Sequence, residues 1–272
     1  MSEFINALMQ HQFLQLSLAG GLLASIGCGV IGTYVVVKRI GYLAGGIAHA
    51  ILGGMGVAYF FGRDPLYGAI IASIISALII GWVSLRFKQQ EDTIIGALWA
   101  IGMSIGVIFI AKTPGYNVDL MGYLFGNILL INPDQLYAML LLNLSVIALT
   151  FMLYKQFLAI SFDEEFAKLR GVKVTAIYLL LLCMVAITIV LLIQVVGLVL
   201  VIALLTMPAA IAGRFVHSIG KMMILATLLG VLFTTGGIAI SYEPNLPTGS
   251  TIILLAGITY LFSLLVKNPL TK

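Results

Sequence analysis

The stretch VTAIYLLLLCMVAITIVLLIQVVGLVLVIALLTMPAAIAG, Val174 to Gly213, runs for forty residues without one charged side chain. An α-helix rises 1.5 Å per residue, so about 20 apolar residues cross a hydrocarbon core about 30 Å thick. Forty residues therefore hold either two crossings or one broken helix followed by a shorter segment. Gln194 and the nearby Gly197 are the only turn signals inside the stretch.

Working outward, the same reading of apolar runs against breakers gives spans near 13–37, 43–61, 67–84, 94–111, 134–154, 174–193, 196–213, 222–241 and 249–266. This predicts an all-α, polytopic integral membrane protein with 8-9 transmembrane helices, forming a single transmembrane domain over residues 1–272. The whole composition agrees: 61% of the 272 residues are apolar and 9% charged, against roughly 25% charged in a soluble domain. Barrel strands would alternate in polarity over about ten residues, and these runs are solidly apolar. Residues Met1 to Gln15 lack a basic start before an apolar core, so the first span is expected to target the chain.

Charge gives orientation. Nine spans place Lys38, Arg39, Arg86, Lys88, Lys155, Lys168, Arg170, Lys173, Arg214, Lys221, Lys267 and Lys272 on one side, and only Arg63 and Lys112 on the other. The positive-inside rule makes the first side cytoplasmic and puts the N-terminus outside. The net charge of +4 is thereby explained by topology, and nucleic acid is not implied as a partner. Cys28 and Cys183 lie in apolar runs, where a small buried side chain is the ordinary reading.

The longest cytoplasmic connection, about 155–173, contains Ser161-Phe162-Asp163-Glu164-Glu165-Phe166-Ala167-Lys168-Leu169-Arg170-Gly171. Ser161 or Asp163 can cap a short helix here, with acids at its positive end, bases at its negative end and Gly171 to stop it. Such a segment is either a solvated connection or a docking helix for a cytoplasmic partner.

Two motifs imitate catalysis. Gly27-Cys28-Gly29-Val30-Ile31-Gly32 has the dinucleotide spacing but no preceding strand, and Gly102-Met103-Ser104-Ile105-Gly106 has the nucleophile-elbow spacing but no acid and histidine partners. Both sit inside spans, where glycine is expected to let helix backbones approach. The spacings Gly41 to Gly45 and Gly122 to Gly126 are read the same way. There is no GxxxxGK[ST] to hold ATP phosphates, and all ten acids fall outside or at the ends of spans. A proton-coupled carrier ordinarily needs a carboxylate within the membrane.

Of the three histidines, only His49 falls within a span. A lone helical histidine is ordinarily a packing residue. At membrane depth it tends to face an interior cavity, and neutral imidazole is a common ligand for zinc, copper, nickel and iron. The surrounding run, Gly29 through Thr33-Tyr34-Val35-Val36-Val37-Lys38-Arg39-Ile40-Gly41-Tyr42-Leu43-Ala44-Gly45-Gly46-Ile47-Ala48-His49-Ala50, resembles the signature of the metal-ion ABC importer permeases, the zinc and manganese uptake family. Val118 to Gly126 resembles that family's external loop, Phe166 to Gly171 its coupling loop, and Pro208-Ala209-Ala210-Ile211-Ala212 a later helix motif.

The resemblance implies an ABC importer permease fold of the metal-chelate type in the plasma membrane. It implies a pore shared with a second permease copy, cytoplasmic ABC ATPase subunits that bind the ATP, and an extracytoplasmic metal-binding protein that delivers the ion. This chain would be no enzyme and carry no cofactor, with zinc, or next manganese, as cargo. His49 would be the pore residue for metal, and Asp163, Phe166, Ala167, Leu169 and Gly171 the coupling residues. Many members carry Asp one helical turn before that histidine; here the position is Gly45, which with Gly46 either widens the passage or tightens helix contact. Imidazole ligation leans toward zinc. The competing function is a stand-alone secondary metal-ion carrier or channel.

Overall fold

The computed structural model describes residues 2–87, 91–113, 126, 128–244 and 246–266, and among these there is no strand. The helices are α1 (Ser2–Gln10), α2 (Gln12–Val37), α3 (Gly41–Phe60), α4 (Pro65–Arg86), α5 (Glu91–Lys112), α6 (Pro133–Met152), α7 (Tyr154–Phe162), α8 (Glu164–Leu169), α9 (Val174–Val196), α10 (Leu198–Phe215), α11 (Ile219–Tyr242) and α12 (Thr248–Leu265), with one 3₁₀ turn at Ile128–Leu130. Among the described residues eight of them are long and apolar enough to cross a bilayer: α2, α3, α4, α5, α6, α9, α11 and α12.

All nine expected runs are helical, and the charge-free stretch divides where its turn signals stand. Gly197 takes φ +79 between α9 and α10, a conformation that costs glycine nothing and disfavours any residue with a Cβ. The seventh run, α10, has 18 residues and keeps its helix through Pro208.

By contacts the described chain forms two compact units, interleaved in sequence: residues 1–37, 121–149 and 191–272, and residues 38–120 with 150–190. In the first unit α2 packs against α10 and α11. A Cβ on Gly29 would overlap Thr227, and one on Gly32 would overlap the carbonyl of Leu205. The apparent dinucleotide motif is thus a helix contact. Lipid tails are as apolar as leucine, so membrane helices associate through close packing and internal hydrogen bonds. Ser25 meets Thr234 at 3.2 Å, and Asn143 donates to the carbonyl of Leu23 at 3.1 Å. Ala209 and Ala212, from the stretch after Pro208, are fully buried against Met222 and Ala226.

In the second unit α3 is held between α4 and α5. Phe60 and Phe109 meet edge to face at 5.3 Å at one end. The Tyr42 hydroxyl donates to the carbonyl of Asp92 at the other. Hence α3 and α5 run parallel, with α4 antiparallel to both. The seam between α3 and α5 is made of glycine: a Cβ on Gly53 would lie 2.7 Å from the carbonyl oxygen of Gly102, and one on Gly56 2.5 Å from that of Gly106. Gly102 and Gly106 are the two glycines of the apparent nucleophile elbow. Ser104 between them is exposed and donates to the carbonyl of Ala100 in its own helix.

The segment after α6 differs from the expected connection. It is helical from Tyr154, and the expected short helix starts at Asp163, whose extended backbone (φ −150, ψ 104) separates α7 from α8. The Asp163 carboxylate caps the new helix by accepting from a free amide of its first turn.

Candidate functional site

Both candidate sites lie in the second unit. The first centres on His49, on the face of α3 that meets α5. Its ring stacks on Trp99 with centroids 4.0 Å apart and planes 11° from parallel. His49 is half-buried, and its Nδ1 is enclosed with no hydrogen-bond partner among the described residues. An enclosed ring nitrogen without a donor or acceptor is a group still able to take one ligand. Trp99 donates from Nε1 to the Met103 sulfur at 3.1 Å, which fixes the indole that in turn fixes the imidazole.

Gly45, one turn earlier, is buried. At Gly46 a Cβ would come 2.6 Å from Ile95 and 3.2 Å from Ile80. Gly46 therefore tightens the contact of α3 with α4 and α5. Among the described residues no three His, Cys, Asp or Glu side chains come together. A cavity of about 520 Å³ opens between α3, α4 and α5, lined by Ala50, Val57, Ile75, Ile101 and similar residues. Of its lining only Arg63, Tyr67 and Ser76 carry polar side chains, and His49 is not part of it.

The second site is the α7–α8 segment. Asp163 Oδ1 accepts from the Phe166 amide at 2.9 Å, so of the two expected caps it is Asp163 that acts. Ser161 instead donates to the carbonyl of Phe157 within α7. Ala167 is fully buried, and Phe166 and Leu169 are 50% and 87% exposed. The Arg170 guanidinium lies 5.2 Å over the Phe166 ring and limits its freedom. Gly171 takes φ +80, with its amide on the carbonyl of Lys168. The result is a short rigid helix that turns one small residue inward and two large apolar residues outward.

What holds this helix was not read from the sequence. Lys38, counted there only as a marker of orientation, pairs with Glu164 at 2.6 Å and donates to the carbonyl of Ile160 at 2.8 Å. Its Nζ lies 5.6 Å over the ring of Tyr178, whose hydroxyl meets Ser84 at 3.2 Å. Lys38 and Glu164 are 126 residues apart, beyond the reach of any local pattern. The stretch resembling the external loop, Val118 to Gly126, lies outside the described residues except for Gly126.

The chain is 41% identical, over 98% of its length and 96% of the relative's, to a probable metal transport system membrane protein of Chlamydia pneumoniae. It is 33% identical, over 93% of its length and 87% of the relative's, to the manganese transport system membrane protein MntC of Halalkalibacterium halodurans. Among solved structures, PsaBC from Streptococcus pneumoniae in complex with Fab superposes with a TM-score of 0.89 at 30% identity, over 97% of this chain and 95% of that one. A chain from a metal-chelate type ABC transporter in an inward-facing conformation shares the fold, with a TM-score of 0.69 at 16% identity. The description of the ABC 3 transport family matches residues 10–267. This multi-pass membrane protein belongs to the ABC 3 transport family.

Proposed function

We propose that this chain is the membrane-spanning permease of an ATP-driven importer that brings a divalent transition-metal ion into the cytoplasm. The observation that carries the reading is His49: an imidazole inside the helix bundle, oriented by Trp99, with an enclosed nitrogen that no group among the described residues occupies. Zinc was the expectation from imidazole chemistry alone. The names of relatives at 32–33% identity favour manganese, and we put it first. A single neutral ligand per chain holds a cation loosely, which suits passage better than storage.

In this reading a second copy of the chain completes the pore within the plasma membrane and its lipid, and an external metal-binding protein delivers the ion. ATP is bound by cytoplasmic partner subunits that dock on Phe166 and Leu169, and no covalent chemistry is asked of this chain. The experiment is manganese and zinc accumulation, side by side, in metal-limited cells with and without the chain. Loss of manganese uptake alone supports class and cargo together. Loss of zinc uptake alone keeps the class and overturns the metal, and no change in either overturns the importer reading.

A further inference from the structure

Lys38 stands where several separate parts of the second unit converge. It immediately precedes Arg39, which takes the left-handed φ of +57, and Ile40, the residue that leads into α3. Its ammonium is shared between the carbonyl of Ile160 in the last turn of α7, the carboxylate of Glu164 at the start of α8 and the ring of Tyr178 on α9. Tyr178 in turn touches Ser84 near the end of α4. A lysine that served only to orient the chain needs nothing but water around its charge. This side chain is 10% exposed, while its partner Glu164 is 42% exposed.

The connection has a direction. Glu164 is the first residue of α8, the helix that presents Phe166 and Leu169. Lys38 is three residues from the first turn of α3, the helix that carries His49. A displacement of α8 either moves the ammonium, and α3 with it, or takes from a nearly buried ammonium its carboxylate partner. From Gly41, where α3 begins, to His49 the helix advances eight residues, about 12 Å, and a packed helix carries movement over that distance as a rigid rod.

We propose that Lys38 is the positioning residue through which the α8 docking helix drives α3, so that movement of the bound ATPase reaches the His49 site. The proposal rests on the permease reading above and adds to it the route of coupling. It separates from a plain structural anchor because an anchor affects assembly, whereas a coupling residue affects the metal moved per ATP hydrolysed.

The test uses the full complex, permease with its ATPase subunits and delivery protein, reconstituted in liposomes, with manganese and zinc as probes. Lys38→Met keeps length and removes charge, Lys38→Arg keeps charge, and Glu164→Gln removes one partner while leaving the Ile160 carbonyl. Lys38→Met is expected to assemble and hydrolyse ATP while moving about tenfold less metal per ATP, within the usual range of coupling energies. Glu164→Gln is expected to lose about threefold, and Lys38→Arg to recover most of the loss. A Lys38→Met ratio equal to that of the unaltered protein, or one that falls only in step with assembly, overturns the proposal. Should Lys38→Met fail to accumulate, Glu164→Gln decides alone, and an unchanged ratio there overturns it too. Absence of ATP-driven uptake by the unaltered complex would overturn the permease reading first, a result visible before any variant is compared.

Discussion

His49 and Trp99 lie face to face, ring centroids 4.0 Å apart, on two helices whose backbones touch through glycine a turn further on. The indole is therefore part of the candidate metal site although it ligates nothing.

Removing that support should impair transport before it impairs folding. Stacked aromatic pairs contribute about 0.5–1.5 kcal/mol beyond burial. Trp99→Ala is expected to lower manganese uptake by about two- to tenfold at unchanged membrane abundance, and Trp99→Phe by less. Equal uptake by Trp99→Ala and the unaltered chain would remove the indole from the site.

A carboxylate introduced one turn before His49 should turn a passing point into a holding point. Residues four apart share a helix face, so Gly45→Asp gives the cation a charged second ligand. Expected outcomes are more manganese retained per purified chain, measured by elemental analysis, and slower uptake in cells. Unchanged retention would mean that His49 does not face the ion path.

The outward face of α8 is open to a direct measurement. Leu169→Asp and Phe166→Ala change exposed side chains, so the thermal stability of the permease should shift little while ATPase co-purification falls severalfold. Gly171→Ala is expected to do the same with an added destabilisation of about 1 kcal/mol, because φ +80 disfavours a Cβ. Undiminished co-purification in all three would move the docking surface elsewhere.

The glycine seam predicts an asymmetry between neighbours. Gly102→Val places atoms against the backbone of Ala50, 2.6 Å from its Cα already at the Cβ, and should sharply reduce the amount of folded protein in the membrane. Ser104→Ala should match the unaltered chain in amount and transport, since among the described residues its hydroxyl bonds only to its own helix. Loss of function in Ser104→Ala, with normal abundance, would revive a catalytic reading of that serine.

Much of this was open to inspection in the chain itself. The apolar runs announce their helices because hydrocarbon leaves the backbone no partner but itself, and Gly197 marks the break in the charge-free stretch because only glycine takes its φ freely. Asp163 and Gly171 announce the ends of α8 through capping chemistry that acts over three or four residues. Trp99 and Lys38 announced nothing. Each owes its role to a partner brought near by tertiary packing, fifty residues away for Trp99 and 126 for Lys38. The same limit applied to Gly46, for which sequence left two roles open until Ile80 and Ile95 were seen beside it.

Glycine has no smaller replacement, so every mutation at Gly53, Gly56, Gly102 or Gly106 pushes α3 and α5 the same way, apart. Opposite Gly53, Gly56 and Gly106 the wall is glycine or main chain and has no atoms to surrender in return, whereas Gly102 faces the Cα and methyl of Ala50. Genetic repair of a lesion at Gly53, Gly56 or Gly106 therefore cannot come from across the seam. Revertants should be true restorations of glycine, or should arise on the α4 side of α3, where Ala58 and Ala72 still have a methyl group to give up.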